Sequence, residues 1–340
     1  MEAGYCNIYQ GGAGMNQGKI AVIGAGLSGA TVAAALTNAG YSVRIFEKSR
    51  GMGGRMATRR SSGFEFDHGA QYFTVKSEVF GKAVKGWVNK GLAAPWEARF
   101  ASLEAGNLRL KPQRMPRYVG IPRMNSIVRE MLNGIEVELN TRVVRAFRSG
   151  KYWALESEDC AIDDSFDALI MAIPPAQARE LLGPVANSFS GKLDTVMDAC
   201  WAVLAAFDGP VDLAFDAAFV NGSSLSWIAR NSSKPARRDR ESWVLHGSRE
   251  WSREKVEAEP EFVLQELLDE FFRQTGIKAA VPSWSSAHRW LYAQASEPLM
   301  DGCLWDPEIG LGLCGDWCRG SRVEGAFLSG KDLAGRITED

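Results

Sequence analysis

The sequence predicts an α/β protein of two domains, and three observations carry that prediction. Near the start, an apolar run (Lys19 to Ile23), three spaced glycines and a small-residue helix are followed by a second apolar run. Near the end, Ile309 to Gly315 is a glycine-spaced apolar strand leading into a helical stretch, so the chain returns to the sheet in which it began. Between them, the 340 residues leave room for a second core.

The first unit is the most informative. Gly24, Gly26 and Gly29 follow the opening strand, and the helix after them, Ala30 to Asn38, stops at Gly40. Tyr41 to Phe46 alternates as a strand and ends at Glu47 with Lys48 beside it. Gly24 permits a tight turn, Gly26 lets the backbone approach a pyrophosphate, and Gly29 lets helix and sheet pack closely. The helix N-terminus, with Leu27 and Ser28 in the turn leading to it, brings backbone amides and a partial positive charge to phosphates, while Glu47 can accept from a ribose diol. Strand, glycine turn, helix, strand and acid in this order form a Rossmann-like dinucleotide site. The unit does not by itself choose between NAD and FAD.

Two further stretches decide for FAD. Gly53-Gly54-Arg55 resembles the second turn of two-dinucleotide-binding-domain flavoproteins of the amine oxidase class, where the arginine sits beside phosphates and flavin. At the far end, Gly315-Asp316 and then Glu324-Gly325-Ala326 match positions that, in such flavoproteins, meet the ribityl chain and the flavin N1/O2 edge. Between them, Ile135 to Phe147, Lys151 to Glu156 and Asp167 to Ile173 read as strands. Val143 fits either an adenine cover or an ordinary buried position.

Gly53 to Thr74 places a backbone-permissive turn, a cation and an aromatic cluster within one short stretch. Its segment Asp67-His68-Gly69-Ala70-Gln71-Tyr72-Phe73, after the glycine-arginine turn, resembles the bacterial renalases. The resemblance continues through Ser226 to Pro235, Trp243 to His246, Ala287 to Ala293 and Cys314 to Cys318, and covers Lys19 to the C-terminus. It implies a p-hydroxybenzoate-hydroxylase-like architecture: an FAD domain (19–75, 128–182 and 305–338) with an inserted α+β substrate domain (76–127 and 183–304). It also implies oxidation of 2- or 6-dihydro isomers of NAD(P) to NAD(P)+, with O2 as electron acceptor and hydrogen peroxide as product, a metabolite-repair activity. On this reading Gly69, Ala70 and Gln71 pass the flavin, with small residues where the ring lies close.

Hydride transfer between two flat rings needs stacking and orientation rather than a proton-abstracting base. The expected catalytic wall is therefore aromatic and hydrogen-bonding: Tyr72, His246, His288, Trp290 and Tyr292, the last three residues of alternate spacing sharing one strand face. Trp227 and Arg230 are candidates for substrate binding, although a surface arginine explains Arg230 equally well. His68 reads as a structural histidine, Trp201, Trp243 and Trp251 as core, Phe262 to Phe272 as a packing helix, and Arg237 to Arg240 as a solvated turn.

Composition bounds the alternatives. A net charge of −2 offers no case for nucleic acid or an acidic membrane, and no apolar run approaches a membrane span. Six cysteines form no metal-site spacing, so reduced thiols, no metal and a cytoplasmic location are expected. Residues 1–18 read as a disordered tail, and the protein as a monomer or homodimer. A true amine oxidase, with Tyr72, Trp290 and Tyr292 flanking an amine, is the competing enzyme. A flavin-binding protein without turnover is the competing class. A carotenoid-desaturase reading shares the glycine-arginine turn but conflicts with the polar stretch from Asp208 to Arg253.

Overall fold

The computed structural model describes residues 17–189, 191–237 and 240–339. The expected tail up to residue 16, and Arg238 and Asp239 of the expected solvated turn, lie outside them.

The opening strand Lys19–Ile23 lies inside a six-stranded sheet of spatial order Leu304–Asp306, Leu311–Leu313, Ala168–Met171, Lys19–Ile23, Ser42–Phe46, Glu136–Glu138. Every neighbouring pair is parallel except the outermost, Leu304–Asp306 against Leu311–Leu313. Ile20, Ala21, Val22 and Ile23 are all buried, because helices and loops cover both faces and alternation is lost. The first helix (Leu27–Asn38) and the last (Val323–Glu339) pack together on one face. Gly330 allows that approach: a Cβ there would lie 2.4 Å from the Ser28 carbonyl oxygen.

The second sheet has seven strands: Trp284–Ala295, Met197–Ala206, Ser242–Gly247, Leu225–Arg230, Ala217–Asn221, Phe100–Glu104 and Asn107–Lys111. Neighbours are antiparallel except Ala217–Asn221 with Phe100–Glu104. The helix Pro260–Thr275 covers one face through Val263, Leu267 and Phe271, against Val203, Trp243 and Leu245. The other face meets a hairpin, Thr58–Ser61 with Phe64–Asp67, which extends from the first domain and packs Phe66 on Leu204, Ala206 and Val244.

Two expectations change. The strand expected over Ile135 to Phe147 is two: Glu136–Glu138 joins the parallel sheet, and Val143–Ser149 forms a separate hairpin with Tyr152–Ser157. Between them Asn140 adopts a left-handed conformation (φ 55°) and Thr141 donates its amide to the Glu47 carbonyl oxygen, which turns the chain away. The boundary expected at residue 76 also cuts through a core. Helix Glu78–Asn89 places Phe80 and Trp87 on Phe327 of the last helix, with ring centroids 5.4 and 5.7 Å away.

Candidate active site

A cavity of about 1480 Å³ lies between the two sheets. One wall is largely backbone. Gly24 (φ +104°) donates its amide to the Phe46 carbonyl at 2.9 Å, and Gly29 is packed so closely that a Cβ would fall 2.0 Å from the Gly24 oxygen. Gly26 is different: a Cβ there would meet nothing within 4 Å, and the residue lines the cavity with Leu27 and Ser28. Glu47 is buried and accepts from the amides of Ala25 (2.9 Å) and Ser49 (2.8 Å), so its carboxylate holds the shape of the first turn. Lys48 lines the cavity beside it; burial and then Arg142 lower its pKa.

The second glycine turn packs on the first. Gly53 donates its amide to the Ala25 carbonyl at 2.9 Å, and a Cβ on Gly54 (φ +53°) would stand 3.3 Å from the Gly26 Cα. Gly69 then threads against this turn, where a Cβ would meet the Arg55 carbonyl oxygen at 2.1 Å, and Ala70 donates its amide to the same oxygen at 2.8 Å. Arg55 forks onto Asp316, Nη1 to Oδ2 at 2.9 Å and Nη2 to Oδ1 at 2.6 Å, and also donates to the Ala293 carbonyl. Gly315, Asp316, Glu324 and Ala326 line the same wall. Gly325 is packed against the Arg319 carbonyl, and the Glu324 carboxylate accepts from the Ser77 amide (2.7 Å), hydroxyl (2.6 Å) and the Lys76 amide (3.1 Å). The open side of Gly26, two glycine turns in contact and an adjoining cavity of this volume fit a bound FAD.

The opposite wall is made of side chains. His288, Trp290 and Tyr292 reach it from the strand Trp284–Ala295, and His246 from Ser242–Gly247. His68 belongs with them, although sequence gave it a structural role: its ring lies 4.8 Å from His288 and from Trp290, which are 4.6 Å apart. The His68 carbonyl accepts from His246 Nε2 at 3.1 Å and Trp290 Nε1 at 3.0 Å, while its ring Nδ1 donates to the Ala57 carbonyl at 3.1 Å. Carbonyls only accept, which places the protons on His246 Nε2 and His68 Nδ1.

All three histidines are held neutral. Burial, then His288 and Arg59, bring His68 down to about 3. Burial, with Lys234 adding to it, brings His246 to about 4, and burial and Arg59 bring His288 to about 4. Tyr72 lines the cavity with its back to an aromatic group, Trp227 at 5.5 Å and Phe100 at 6.3 Å.

Several expected site residues lie elsewhere. Trp227 is buried behind Tyr72 and does not line the cavity. Arg230 also stands outside, held by Glu241 (3.4 Å) and Asp216 (4.0 Å) with its guanidinium over the Trp243 ring. Val143 is buried in the core that its hairpin shares with the parallel sheet, and Gln71 is buried outside the cavity lining. Gln71 instead takes part in a network that sequence reasoning missed. Asp67, fully buried, binds Arg237 Nη2 at 2.7 Å, Lys234 Nζ at 3.3 Å and the Thr58 hydroxyl at 2.6 Å, and Lys234 also reaches Gln71 Oε1 at 3.2 Å. Burial raises the Asp67 pKa, but the two cations and Thr58 outweigh it and hold the carboxyl well below its usual range. Arg237, expected in a solvated turn, is therefore a buried ion-pair partner.

Comparison with known proteins agrees with this geometry. Residues 22–85 match a model for an NAD(P)-binding Rossmann-like domain, and residues 84–338 match one for flavin containing amine oxidoreductases. A cyclohexylamine oxidase from Brevibacterium oxydans IH-35A has a similar fold, with a TM-score of 0.74 at 14% identity over 95% of this chain and 99% of that one. So does a protoporphyrinogen oxidase candidate from Exiguobacterium sp. 255-15, with a TM-score of 0.78 at 12% identity over 96% and 100%. A curated relative, a 4,4'-diapophytoene desaturase of Staphylococcus aureus strain Newman, is 51% identical over 51 residues, which span 15% of this chain and only 10% of the desaturase. No helix among the described residues is long and apolar enough to cross a membrane. The chain belongs to the flavin containing amine oxidoreductase family and is an FAD-dependent oxidoreductase.

Proposed function

We propose that the protein is a repair oxidase of the renalase type, converting 2- or 6-dihydro isomers of NAD(P) to NAD(P)+. FAD, when bound, supplies a hydride acceptor at N5 and returns the electron pair to O2 as hydrogen peroxide. Gly24, Gly26, Leu27, Ser28, Gly29 and Glu47 would hold its adenylate and pyrophosphate. Gly54, Arg55, Gly69, Ala70, Gly315, Asp316 and the Glu324 to Ala326 amides would frame the flavin half.

The observation that carries this reading is the His68–His288–Trp290 cluster with His246 beside it. Neutral imidazoles and an indole offer a flat stacking surface and hydrogen bonds for a carboxamide without supplying a strong base. Oxidising a dihydronicotinamide asks for that: the hydride leaves as a proton with two electrons, and the aromatic pyridinium is the product. The amine oxidase alternative asks for facing rings around the amine. The rings nearest Tyr72, those of Trp96, Phe100 and Trp227, do not line the cavity, so none of them faces Tyr72 across it. Free thiols at Cys160, Cys200, Cys303, Cys314 and Cys318 accord with a reducing, cytoplasmic setting, where nicotinamide coenzymes are used.

The test is product stoichiometry in air. Purified protein given a borohydride-generated mixture of dihydro-NAD isomers should release one NAD+ and one hydrogen peroxide per isomer consumed, and a panel of primary and secondary amines should release no peroxide. Peroxide from an amine with none from the isomers would overturn the reading in favour of amine oxidation.

A further inference from the structure

Arg59 is a cavity cation with no part in the site described above. It is half-buried on the strand Thr58–Ser61 and lines the cavity. Its strand position sits across from Phe66, whose ring stacks 5.2 Å from Trp284 at the start of the strand that carries His288 and Trp290. Arg60, next along, alternates to the opposite face of the hairpin and is exposed, although it also borders the cavity. Arg59 therefore stands on the histidine side of the cavity.

Of the other arginines lining the cavity, Arg55, Arg123, Arg249 and Arg289 are paired with Asp316, Glu65, Asp198 and Glu257. Arg50, Arg60, Arg129 and Arg322 share with Arg59 the lack of a carboxylate partner among the described residues. Arg59 is distinguished from these by acting on His68 and His288. A half-buried guanidinium has given up part of its hydration, and without a counter-charge that loss is not repaid. Its charge is instead felt by His68 and His288, where it adds to burial in keeping both neutral. A site of this kind attracts an anion and repels an ammonium ion.

We propose that Arg59 is the anion anchor of the substrate half of the cavity, binding a phosphate of the dihydronicotinamide nucleotide and disfavouring cationic amines. The inference rests on the repair-oxidase reading and makes its specificity electrostatic. Arg59 touches substrate but takes no part in hydride transfer, so it governs binding and leaves the bound-state rate alone.

The test compares the reduced dinucleotide isomers with the corresponding dihydronicotinamide riboside, which lacks phosphate, in anaerobic flavin-reduction traces. In Arg59→Met the apparent Kd for the dinucleotide should rise about 10- to 100-fold, the loss of a charge-assisted hydrogen-bonded contact. The limiting reduction rate and the riboside Kd should each stay within about twofold, a change smaller than one ordinary hydrogen bond. Arg59→Lys, which keeps the charge without the fork, should recover part of the affinity and controls for folding. Equal losses for dinucleotide and riboside, or none for either, would overturn the inference while leaving the repair reading intact. A wild-type flavin that no dihydronicotinamide reduces would overturn both.

Discussion

On one side of the cavity Gly24, Gly26, Gly54 and Gly69 bring backbone to, or close behind, the lining; on the other, His288, Trp290 and Tyr292 reach it from one long strand. The first wall is held by contacts that a single methyl group would violate, 2.0 Å at Gly29 and 2.1 Å at Gly69. The second is held by ring packing at 4.6 to 4.8 Å and by two hydrogen bonds to one carbonyl. At Gly29 and Gly69 the backbone wall has one solution and admits no side chain. The side-chain wall can change its chemistry without changing its shape, which is how one family fold serves different substrates.

That contrast is breakable by mutation, and the largest effect belongs to the backbone wall. Gly29→Val should abolish flavin retention, read as absorbance near 450 nm per mole of protein, because its Cβ cannot coexist with the Gly24 oxygen. A yellow, fully loaded variant would show that the turn can relax.

Next comes the seam between the walls. Asp67→Asn leaves Lys234 and Arg237 buried without a full counter-charge and should cost about 3–5 kcal/mol in chemical denaturation, the usual result of removing one partner of a buried ion pair. A cost under 1 kcal/mol, the range of an exposed pair, would mean that water reaches the network.

Smaller effects belong to the side-chain wall. Trp290→Phe removes the indole donor to the His68 carbonyl and should lower the flavin-reduction rate about 3- to 10-fold, one net hydrogen bond, with flavin fully retained. The histidines give a pH signature. Their folded pKa values lie below the ordinary 6.5, at about 4 for His246 and His288, so between these limits the unfolded chain binds more protons. Their contribution to stability is present above the unfolded pKa and is lost as pH falls from about 6.5 to about 4. Flavin reduction should accordingly be flat with pH above about 6 and decline below about 5, where the rings begin to charge. A titration centred near pH 6.5 in the reduction rate would contradict neutral histidines.

The smallest effect is at Arg230. Arg230→Met should lower stability by about 1 kcal/mol through its partly buried ion pairs and leave the apparent Kd of the nucleotide unchanged.

The two walls also differ in how much of them the sequence discloses. Gly24, Gly26, Gly29 and Glu47 act within one short stretch, so spacing alone reveals the first turn, and Gly53-Gly54 reveals the second. The alternation of His288, Trp290 and Tyr292 likewise shows that they share a face. It does not show what covers that face. Trp227 and Arg230 were plausible site residues until the sheet placed Tyr72 over one and Glu241 beside the other. Lys234 and Arg237 gave no local signal, because their partner Asp67 is more than 160 residues away in sequence. His68 carries no local signal of its site role for the same reason: its neighbours His288 and Trp290 arrive from the far end of the chain. The break at Asn140 was hidden because the apolar alternation continues on both sides of it.

The most direct test of the account is an anaerobic stopped-flow trace of the FAD-loaded protein mixed in turn with dihydro-NAD isomers, ordinary NADH and amines. The account predicts rapid bleaching of the flavin by the isomers, little by NADH, none by amines, and recovery of colour when air is admitted. Bleaching by an amine, with the isomers inert, would contradict it.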